Sequence, residues 1–129
     1  MIFIKNAYVT DPAGGREEKA DILLKDGKIV KIGQIKEEEV SAEPASLRVI
    51  DAEGLVAAPG LVDVHSHFRD PGFTYKEDIE TGAKAAAKGG YTTVVLMANT
   101  KPCVDNEETL RYVIEKGKKT GIHVYTCAT

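Results

Sequence analysis

Alternating apolar and polar positions dominate the first third of the chain and predict β-strands. Residues 2–9 (IFIKNAYV) alternate in part, and residues 20–32 (ADILLKDGKIVKI) contain two apolar-rich runs separated by Asp26-Gly27. An Asp-Gly pair between such runs favours a hairpin with a two-residue loop, because both positions tolerate a positive φ. We therefore predict a strand followed by a β-hairpin.

The polar residues 33–46 interrupt this pattern and predict a loop or an eroded strand. Residues 47–52 (LRVIDA) predict one more short strand. Small sheets of this kind usually pack face to face on a second sheet. The sequence thus predicts an incomplete β-sandwich subdomain over residues 1–57.

From residue 58 onward the pattern changes to alternating strands and helices. The apolar run of Leu61, Val62 and Val64 is typical of a strand that is buried on both faces in a parallel sheet. The predicted elements are a strand from Leu61, a helix over 79–88, a strand over 91–97, a helix over 107–119 and a strand over 122–127.

Local signals support the boundaries of both helices. Gly89-Gly90 stops the first helix, Asn106 caps the second and Gly121 ends it. Two pairs on the second helix have the i, i+4 spacing of ion pairs, namely Glu107 with Arg111 and Glu115 with Lys119. Lys76, Glu77 and Asp78 form the charged start of the first helix.

This rhythm is that of a parallel α/β fold, and it predicts the first βα units of a (β/α)₈ TIM barrel over residues 58–129. A closed barrel needs about 250 residues, so we expect the barrel to be truncated in this chain. An open, doubly wound sheet begins in the same way. The preceding small sheet and the histidines at the end of the first strand favour the barrel.

Composition and charge exclude several functional classes. Hydrophobic residues make up 43% and charged residues 29%, and 17 basic against 20 acidic residues give a net charge of −3. No basic field is present for nucleic acid, and no apolar run approaches the roughly 20 residues that span a membrane. The start MIFIKNAYVT lacks the apolar segment of a signal peptide. Cys103 and Cys127 form no CxxC pair, which favours reduced thiols in a cytoplasmic protein.

His65 and His67 are the sharpest chemical feature. Side chains two residues apart on a strand project from one face, and Asp63 lies on that face too. The pair falls at the C-terminal end of the first predicted barrel strand, where barrel active sites are built. Neutral imidazole is the commonest protein ligand for zinc. The alternative is two histidines that make ordinary hydrogen bonds in a half-buried strand.

Two further polar residues are expected at the same rim. Arg69 can hold a carboxylate in a planar fork, or it can form a surface salt bridge with Asp70 or Glu77. Asn99 follows the second predicted barrel strand and can donate to a substrate carboxylate, or it can cap its own loop. His123 has no evident partner and is predicted to be structural.

These residues lie in a stretch that resembles the N-terminal part of the dihydroorotases, which belong to the cyclic amidohydrolase superfamily. The likeness runs through the segments HFRDPG, KEDIETG, AAAKGGYTTV and MANTKP. The upstream hairpin is similar to the small β-sandwich that precedes the barrel in this superfamily. Hydantoinases and allantoinases share the D-x-H-x-H and G-G-T-T stretches, but they do not typically combine HFRDPG with NTKP.

The resemblance implies a zinc-dependent hydrolase, with one or two zinc ions, that interconverts N-carbamoyl-L-aspartate and L-dihydroorotate in pyrimidine biosynthesis. It implies that His65 and His67 bind the more buried zinc, and that Arg69 and Asn99 hold the substrate carboxylate. In the family the other ligands and the catalytic aspartate come from later strands. They are therefore expected beyond Thr129, with no catalytic residue in this chain and no turnover by the chain alone.

Two other interpretations stay open. The protein can be a hydantoinase or allantoinase, although a neutral ring has little use for Arg69 and Asn99. It can also be a non-catalytic assembly subunit for aspartate transcarbamoylase. The resemblance implies three partners. They are the small-molecule substrate, a second copy of the chain in a homodimer, and aspartate transcarbamoylase. Ala98 stands where the family usually has proline, which is expected to loosen the loop that carries Asn99.

Overall fold

The computed structural model describes residues 1–40 and 47–129. Its internal contacts divide the chain into two units, Met1–Pro59 and Gly60–Thr129. Each unit is built around a sheet of its own. The second unit alternates strands and helices, which confirms the predicted mixed α/β class.

The first unit has β1 at its centre. Its elements are β1 (Ile2–Asp11), β2 (Arg16–Lys25), β3 (Lys28–Gly33), α1 (Glu37–Val40), β4 (Arg48–Asp51) and β5 (Val56–Ala57). The strand order is β3-β2-β1-β4, with β5 also paired to β1. β1 pairs with β2 in the antiparallel sense and with β4 and β5 in the parallel sense. The described strands of this unit form one sheet, so the sandwich stays a prediction.

The β2–β3 hairpin confirms the Asp-Gly signal. Asp26 and Gly27 both have positive φ, at 51° and 73°, as a two-residue turn of this type requires. The apolar core of the unit lies on β1, β2 and the residues after β4, and consists of Ala7, Val9, Ala20, Ile22 and Ala52.

The prediction of a loop or an eroded strand over residues 33–46 is wrong at Glu37–Val40, which forms α1. The reason is a capping contact, because the Glu39 carboxylate accepts a hydrogen bond from the Lys36 backbone N–H at 2.9 Å. A side chain three residues into a helix commonly satisfies that free donor. Residues 41–46 of the same polar run lie outside the described residues.

The second unit consists of a parallel sheet in the order β6-β7-β8 with two intervening helices. Its elements are β6 (Leu61–Ser66), α2 (Ile79–Lys88), β7 (Tyr91–Leu96), α3 (Glu107–Gly117) and β8 (His123–Thr126). Parallel strands bring all their carboxyl ends to one edge of the sheet. No helix in the described part of the chain has the length and apolar character that crossing a membrane requires.

Side-chain caps begin both helices where the sequence predicts. Asp78 accepts hydrogen bonds from the backbone of Glu80 and Thr81, and Asn106 accepts one from Thr109 N–H at 3.0 Å. Each cap satisfies donors that the first helical turn leaves free.

The predicted end of α3 at Lys119 is too late, because the helix stops at Gly117. The Thr120 hydroxyl donates to the Gly117 carbonyl oxygen at 2.7 Å, so a side chain satisfies this carbonyl. Gly117 also lies against Val124, where an added Cβ would come within 2.7 Å. The expected pair of Glu107 and Arg111 forms. Glu115 pairs with Lys118 at 2.6 Å instead of Lys119.

The expectation that β6 is buried on both faces is also wrong for the described residues. Leu61, Val62 and Val64 expose 52%, 59% and 68% of their surfaces. β6 is an edge strand with β7 on one side only. The core of the unit is instead built on β7, β8, both helices and the loop after β7, from Ile79, Ala83, Val94, Leu96, Ala98, Val104, Val113 and Val124.

Candidate metal and substrate site at the strand ends

The polar residues that the sequence singled out lie just after two neighbouring strands. His65 stands near the end of β6 and His67 directly follows it. Asn99 follows β7, and the Ser66 carbonyl accepts a hydrogen bond from Met97 N–H at 2.9 Å, which keeps the two strand ends together. The parallel pairing therefore places these residues at one edge of the sheet.

The two imidazoles have a spacing that suits a shared metal ion. Their ring centroids lie 5.2 Å apart with the planes inclined at 58°. Two imidazoles bound tetrahedrally to one zinc ion at about 2.0–2.1 Å have ring centroids about 5 Å apart. His65 is exposed and His67 is half-buried, so both rings are accessible to an ion.

Asp63 supports the backbone beside the histidines. Its carboxylate accepts hydrogen bonds from the His65 backbone N–H at 2.9 Å and the Ser66 hydroxyl at 2.5 Å. The pKa of Asp63 lies below its usual value, mainly because of the hydrogen bond from Ser66 and next because of the one from His65. The carboxylate is thus ionised and fixes the turn of the chain from which both imidazoles project.

His67 and Asn99 are joined by a side-chain hydrogen bond. Asn99 Oδ1 lies 3.1 Å from His67 Nδ1. An amide oxygen only accepts, so the proton is placed on Nδ1 and the lone pair of Nε2 is left for a metal ion. The alternative in which Asn99 merely caps its own loop is not the arrangement observed.

The loop that carries Asn99 is tied down despite the alanine that precedes it. Ala98 is buried. Its carbonyl oxygen accepts hydrogen bonds from Thr100 N–H at 2.8 Å and Val104 N–H at 3.1 Å. These contacts hold the backbone on both sides of Asn99 without the proline that was expected to stiffen it.

Arg69 lies in the loop beyond β6 and has a left-handed backbone with φ of 62°. The predicted alternative, a salt bridge with Asp70 or Glu77, does not form among the described residues. The Asp70 carboxylate is bound by Lys116, and the Glu77 carboxylate accepts from Asp78 N–H. Arg69 is half-buried as a residue, and its guanidinium can bind an anion because neither of these acids pairs with it.

Asp70, which the sequence indicates only as an alternative partner for Arg69, is a buried acid. It is 1% exposed and contacts Tyr112 and Lys116 of α3. No local signal could have found this cluster, because Asp70 is more than 40 residues away from both of its partners on α3. His123, predicted to be structural, stacks on Tyr125 at 6.3 Å between ring centroids.

The described residues do not complete a metal site. No group of three or more His, Cys, Asp or Glu residues that could hold an ion lies among residues 1–40 and 47–129. His65 and His67 stay the predicted ligands, and both cysteines are free and exposed thiols.

Residues 54–127 match the protein family described as "Dihydro-orotase-like", and this stretch is more than half of the chain. The chain belongs to the dihydro-orotase-like family. The resemblance seen in the HFRDPG and NTKP motifs is thereby confirmed, and both motifs lie inside the matched residues of this dihydro-orotase-like chain.

A curated relative gives the same family at high identity. The protein named dihydroorotase of Clostridioides difficile strain 630 is 57% identical over 128 residues, which cover 99% of this chain and 29% of that protein. The dihydro-orotase-like chain thus spans less than a third of the length of this relative.

Solved structures of hydantoinases share the fold. L-hydantoinase (dihydropyrimidinase) from Arthrobacter aurescens is similar with a TM-score of 0.75 and 30% identity, over 97% of this chain and 27% of that one. A variant of the atrazine chlorohydrolase TrzN from Arthrobacter aurescens, complexed with zinc and atraton, has a TM-score of 0.69 and 25% identity over 98% of this chain and 35% of its own. The dihydro-orotase-like chain therefore shares its architecture with part of several amidohydrolases.

Proposed function

We propose that this protein is a zinc-dependent dihydroorotase, which interconverts N-carbamoyl-L-aspartate and L-dihydroorotate in pyrimidine biosynthesis. The observation that carries this proposal is the pair of imidazoles whose ring centroids lie 5.2 Å apart, with Asn99 bonded to one of them. The relative that is 57% identical and is named dihydroorotase supports the same activity. Within this proposal, Gly60–Thr129 begins a (β/α)₈ barrel and Met1–Pro59 belongs to a small β-sandwich.

His65 and His67 are proposed as the zinc ligands that this chain supplies. A bound zinc ion polarises a carbonyl oxygen and lowers the pKa of a water molecule, which is the chemistry that amide hydrolysis needs. Asp63 fixes the backbone of His65, and Asn99 fixes the tautomer of His67. The other ligands and the catalytic aspartate are proposed to lie in the part of the relatives' length that this chain does not span.

Arg69 and Asn99 are proposed to bind the substrate carboxylate. The Arg69 guanidinium offers paired donors that match a carboxylate. Asn99 uses its Oδ1 atom on His67, which leaves its amide NH₂ group free to donate to the substrate. One amide thereby links a metal ligand to a substrate contact. An uncharged hydantoin ring would have no partner for the Arg69 charge.

The test is a comparison of substrates with the complete natural polypeptide loaded with zinc. We expect turnover of carbamoyl-aspartate, and a raised KM for it in Arg69→Gln. Preferred turnover of a neutral hydantoin would assign the protein to the hydantoinases instead. Absence of turnover together with binding to aspartate transcarbamoylase would identify an assembly subunit.

Homodimer formation, association with aspartate transcarbamoylase and a cytoplasmic location remain predictions of the same proposal. Size-exclusion chromatography of the complete polypeptide, alone and with the transcarbamoylase, tests the first two.

A further inference from the structure

Asp70 is a buried acid that the proposed reaction leaves without a role. Its side chain has no exposed surface. Oδ2 accepts from Lys116 Nζ at 2.6 Å and from Ile79 N–H at 3.2 Å, and Oδ1 accepts from the Tyr112 hydroxyl at 2.8 Å. The carboxylate therefore joins the loop after β6 to the first turn of α2 and to α3.

At neutral pH Lys116 carries its charge and Tyr112 keeps its proton, since both pKa values are raised. The hydrogen bond to Asp70 is the main reason that the pKa of Lys116 is raised. Burial, followed by the bond to Asp70, raises the pKa of Tyr112, which stays protonated as a donor. A buried ion pair is weak evidence for a purely stabilising role, since apolar residues of similar volume often stabilise a protein as well or better.

The loop around Asp70 is fixed on its other side as well. The carbonyl oxygen of Arg69 accepts from Phe73 N–H at 2.9 Å, and that of Pro71 accepts from Lys101 N–H at 3.1 Å. Gly72 has φ of +94°, and a Cβ added there would come within 1.9 Å of the Lys101 carbonyl oxygen. The loop of Arg69 is therefore packed against the loop that carries Asn99.

We propose that Asp70 is a positioning residue for substrate binding: Tyr112 and Lys116 hold its carboxylate, and this anchor maintains the backbone from which Arg69 reaches the substrate carboxylate. The inference rests on the proposed function. It adds three residues to the determinants of affinity for the anionic substrate, and two of them lie on α3. None of the three is assigned contact with the substrate.

The decisive variant is Lys116→Met in the complete natural polypeptide, which leaves the Asp70 charge without its cation. We expect the KM for carbamoyl-aspartate to rise about 10-fold, equivalent to about 1.4 kcal/mol, while kcat changes less than about 2-fold, as loss of uniform binding predicts. Tyr112→Phe, a milder change, should raise KM less. Lys116→Arg, which keeps the cation, should restore most of the affinity.

Lys118→Met is the matched control, because it makes the same substitution on the exposed side chain that follows α3 and pairs with Glu115. Its KM should equal that of the unchanged protein. The proposal attributes the rise of KM in Lys116→Met to a displaced Arg69. Lys116→Met should therefore raise KM much less in a protein that already carries Arg69→Gln.

Two results overturn the inference while the proposed function stands. One is an unchanged KM in both Lys116→Met and Tyr112→Phe, and the other is an equal rise of KM with and without Arg69. Where Lys116→Met fails to fold, Tyr112→Phe and its combination with Arg69→Gln decide the question. Absence of turnover in the unchanged protein overturns the proposed function itself.

Discussion

His67 Nδ1 lies 3.1 Å from Asn99 Oδ1, and this hydrogen bond joins the ends of β6 and β7. The bond sets the imidazole tautomer, so that Nε2 is the atom presented to a metal ion. It also orients the Asn99 amide, whose NH₂ group remains for a substrate. The metal side and the substrate side of the proposed site are therefore connected through one side chain.

Asn99→Ala is expected to weaken zinc binding by about 10-fold to 100-fold, the usual effect of removing a partner of a metal-bound histidine. The lost acceptor leaves the His67 ring without its fixed tautomer. Competition with a chelating dye measures the zinc affinity of the complete polypeptide.

Asn106→Ala is the control for this prediction. It removes the N-cap of α3, which costs about 0.5–2 kcal/mol of stability, and it should leave zinc affinity unchanged. An equal loss of zinc affinity in both variants would contradict the role given to Asn99.

His65→Ala and His67→Ala should each abolish most of the bound zinc and lower turnover by more than about 100-fold, beyond the effect of an outer-shell change. Metal analysis after dialysis and a carbamoyl-aspartate assay measure both effects. His123→Ala supplies the comparison, because His123 stacks on Tyr125 and should retain full zinc content. Retention of zinc by the His65 and His67 variants would exclude the proposed ligands.

Gly82→Ala is expected to destabilise the protein. An added Cβ would lie 2.7 Å from the Phe68 ring, and overpacking of this kind costs about 1–3 kcal/mol. The better helix propensity of alanine offsets about 1 kcal/mol of that cost. A fall in melting temperature checks this. A Cβ added at Gly121 meets no atom within 4 Å, so Gly121→Ala should have the same melting temperature as the unchanged protein.

Alkaline pH is expected to remove the stabilisation that Asp70 receives from Tyr112 and Lys116. In the folded state burial raises the pKa of Tyr112 above its ordinary 10.0, and the hydrogen bond to Asp70 raises the pKa of Lys116 above its ordinary 10.5. Groups with raised pKa values stabilise the fold fully below the unfolded-state pKa, and that contribution disappears as pH rises through the folded-state pKa. This contribution to the stability is therefore fully present at pH 9 and is lost progressively as the pH rises above about 10.

Melting temperatures across this range, for the unchanged protein and Lys116→Met, measure the loss. The difference between the two should shrink as pH rises. Lys118→Met, which keeps Asp70 and its partners intact, should follow the unchanged protein. A difference that stays constant as the pH rises well above the ordinary lysine pKa of 10.5 would rule out this linkage.

The 129-residue chain by itself is expected to show no turnover. Zinc generally takes at least three protein ligands, and the described residues bring together the two imidazoles of His65 and His67. An assay of the purified chain with added zinc tests this. Rates near the common enzyme value of about 10 s⁻¹ would disprove it.

The sequence predicted those elements whose signals are local. Asp26-Gly27 marks its hairpin, and Asn106 and Asp78 mark helix starts, because each acts on residues within one turn. The HxH pair was also visible, since strand periodicity alone places His65 and His67 together.

What the sequence missed depends on distant partners. The ion pair of Asp70 with Lys116 spans 46 residues, and no local pattern marks it. The burial of Val64 was wrongly predicted because strand composition does not show what packs on each face. The early end of α3 depends on the Thr120 hydroxyl, which binds the Gly117 carbonyl oxygen. The stop signal of Gly121 lies further along the chain and does not show this contact.

The central place of β1 in its sheet sets the order in which the first unit can assemble during synthesis. β1 can pair with β2 and β3 can pair with β2 as soon as they emerge, since these strands adjoin in sequence. Ile2 of β1 pairs with Arg48 of β4, and this pairing can form only after Arg48 has been synthesised. Pairing over such separations slows folding, so one edge of β1 stays open on the ribosome until the chain has grown past β4 and β5.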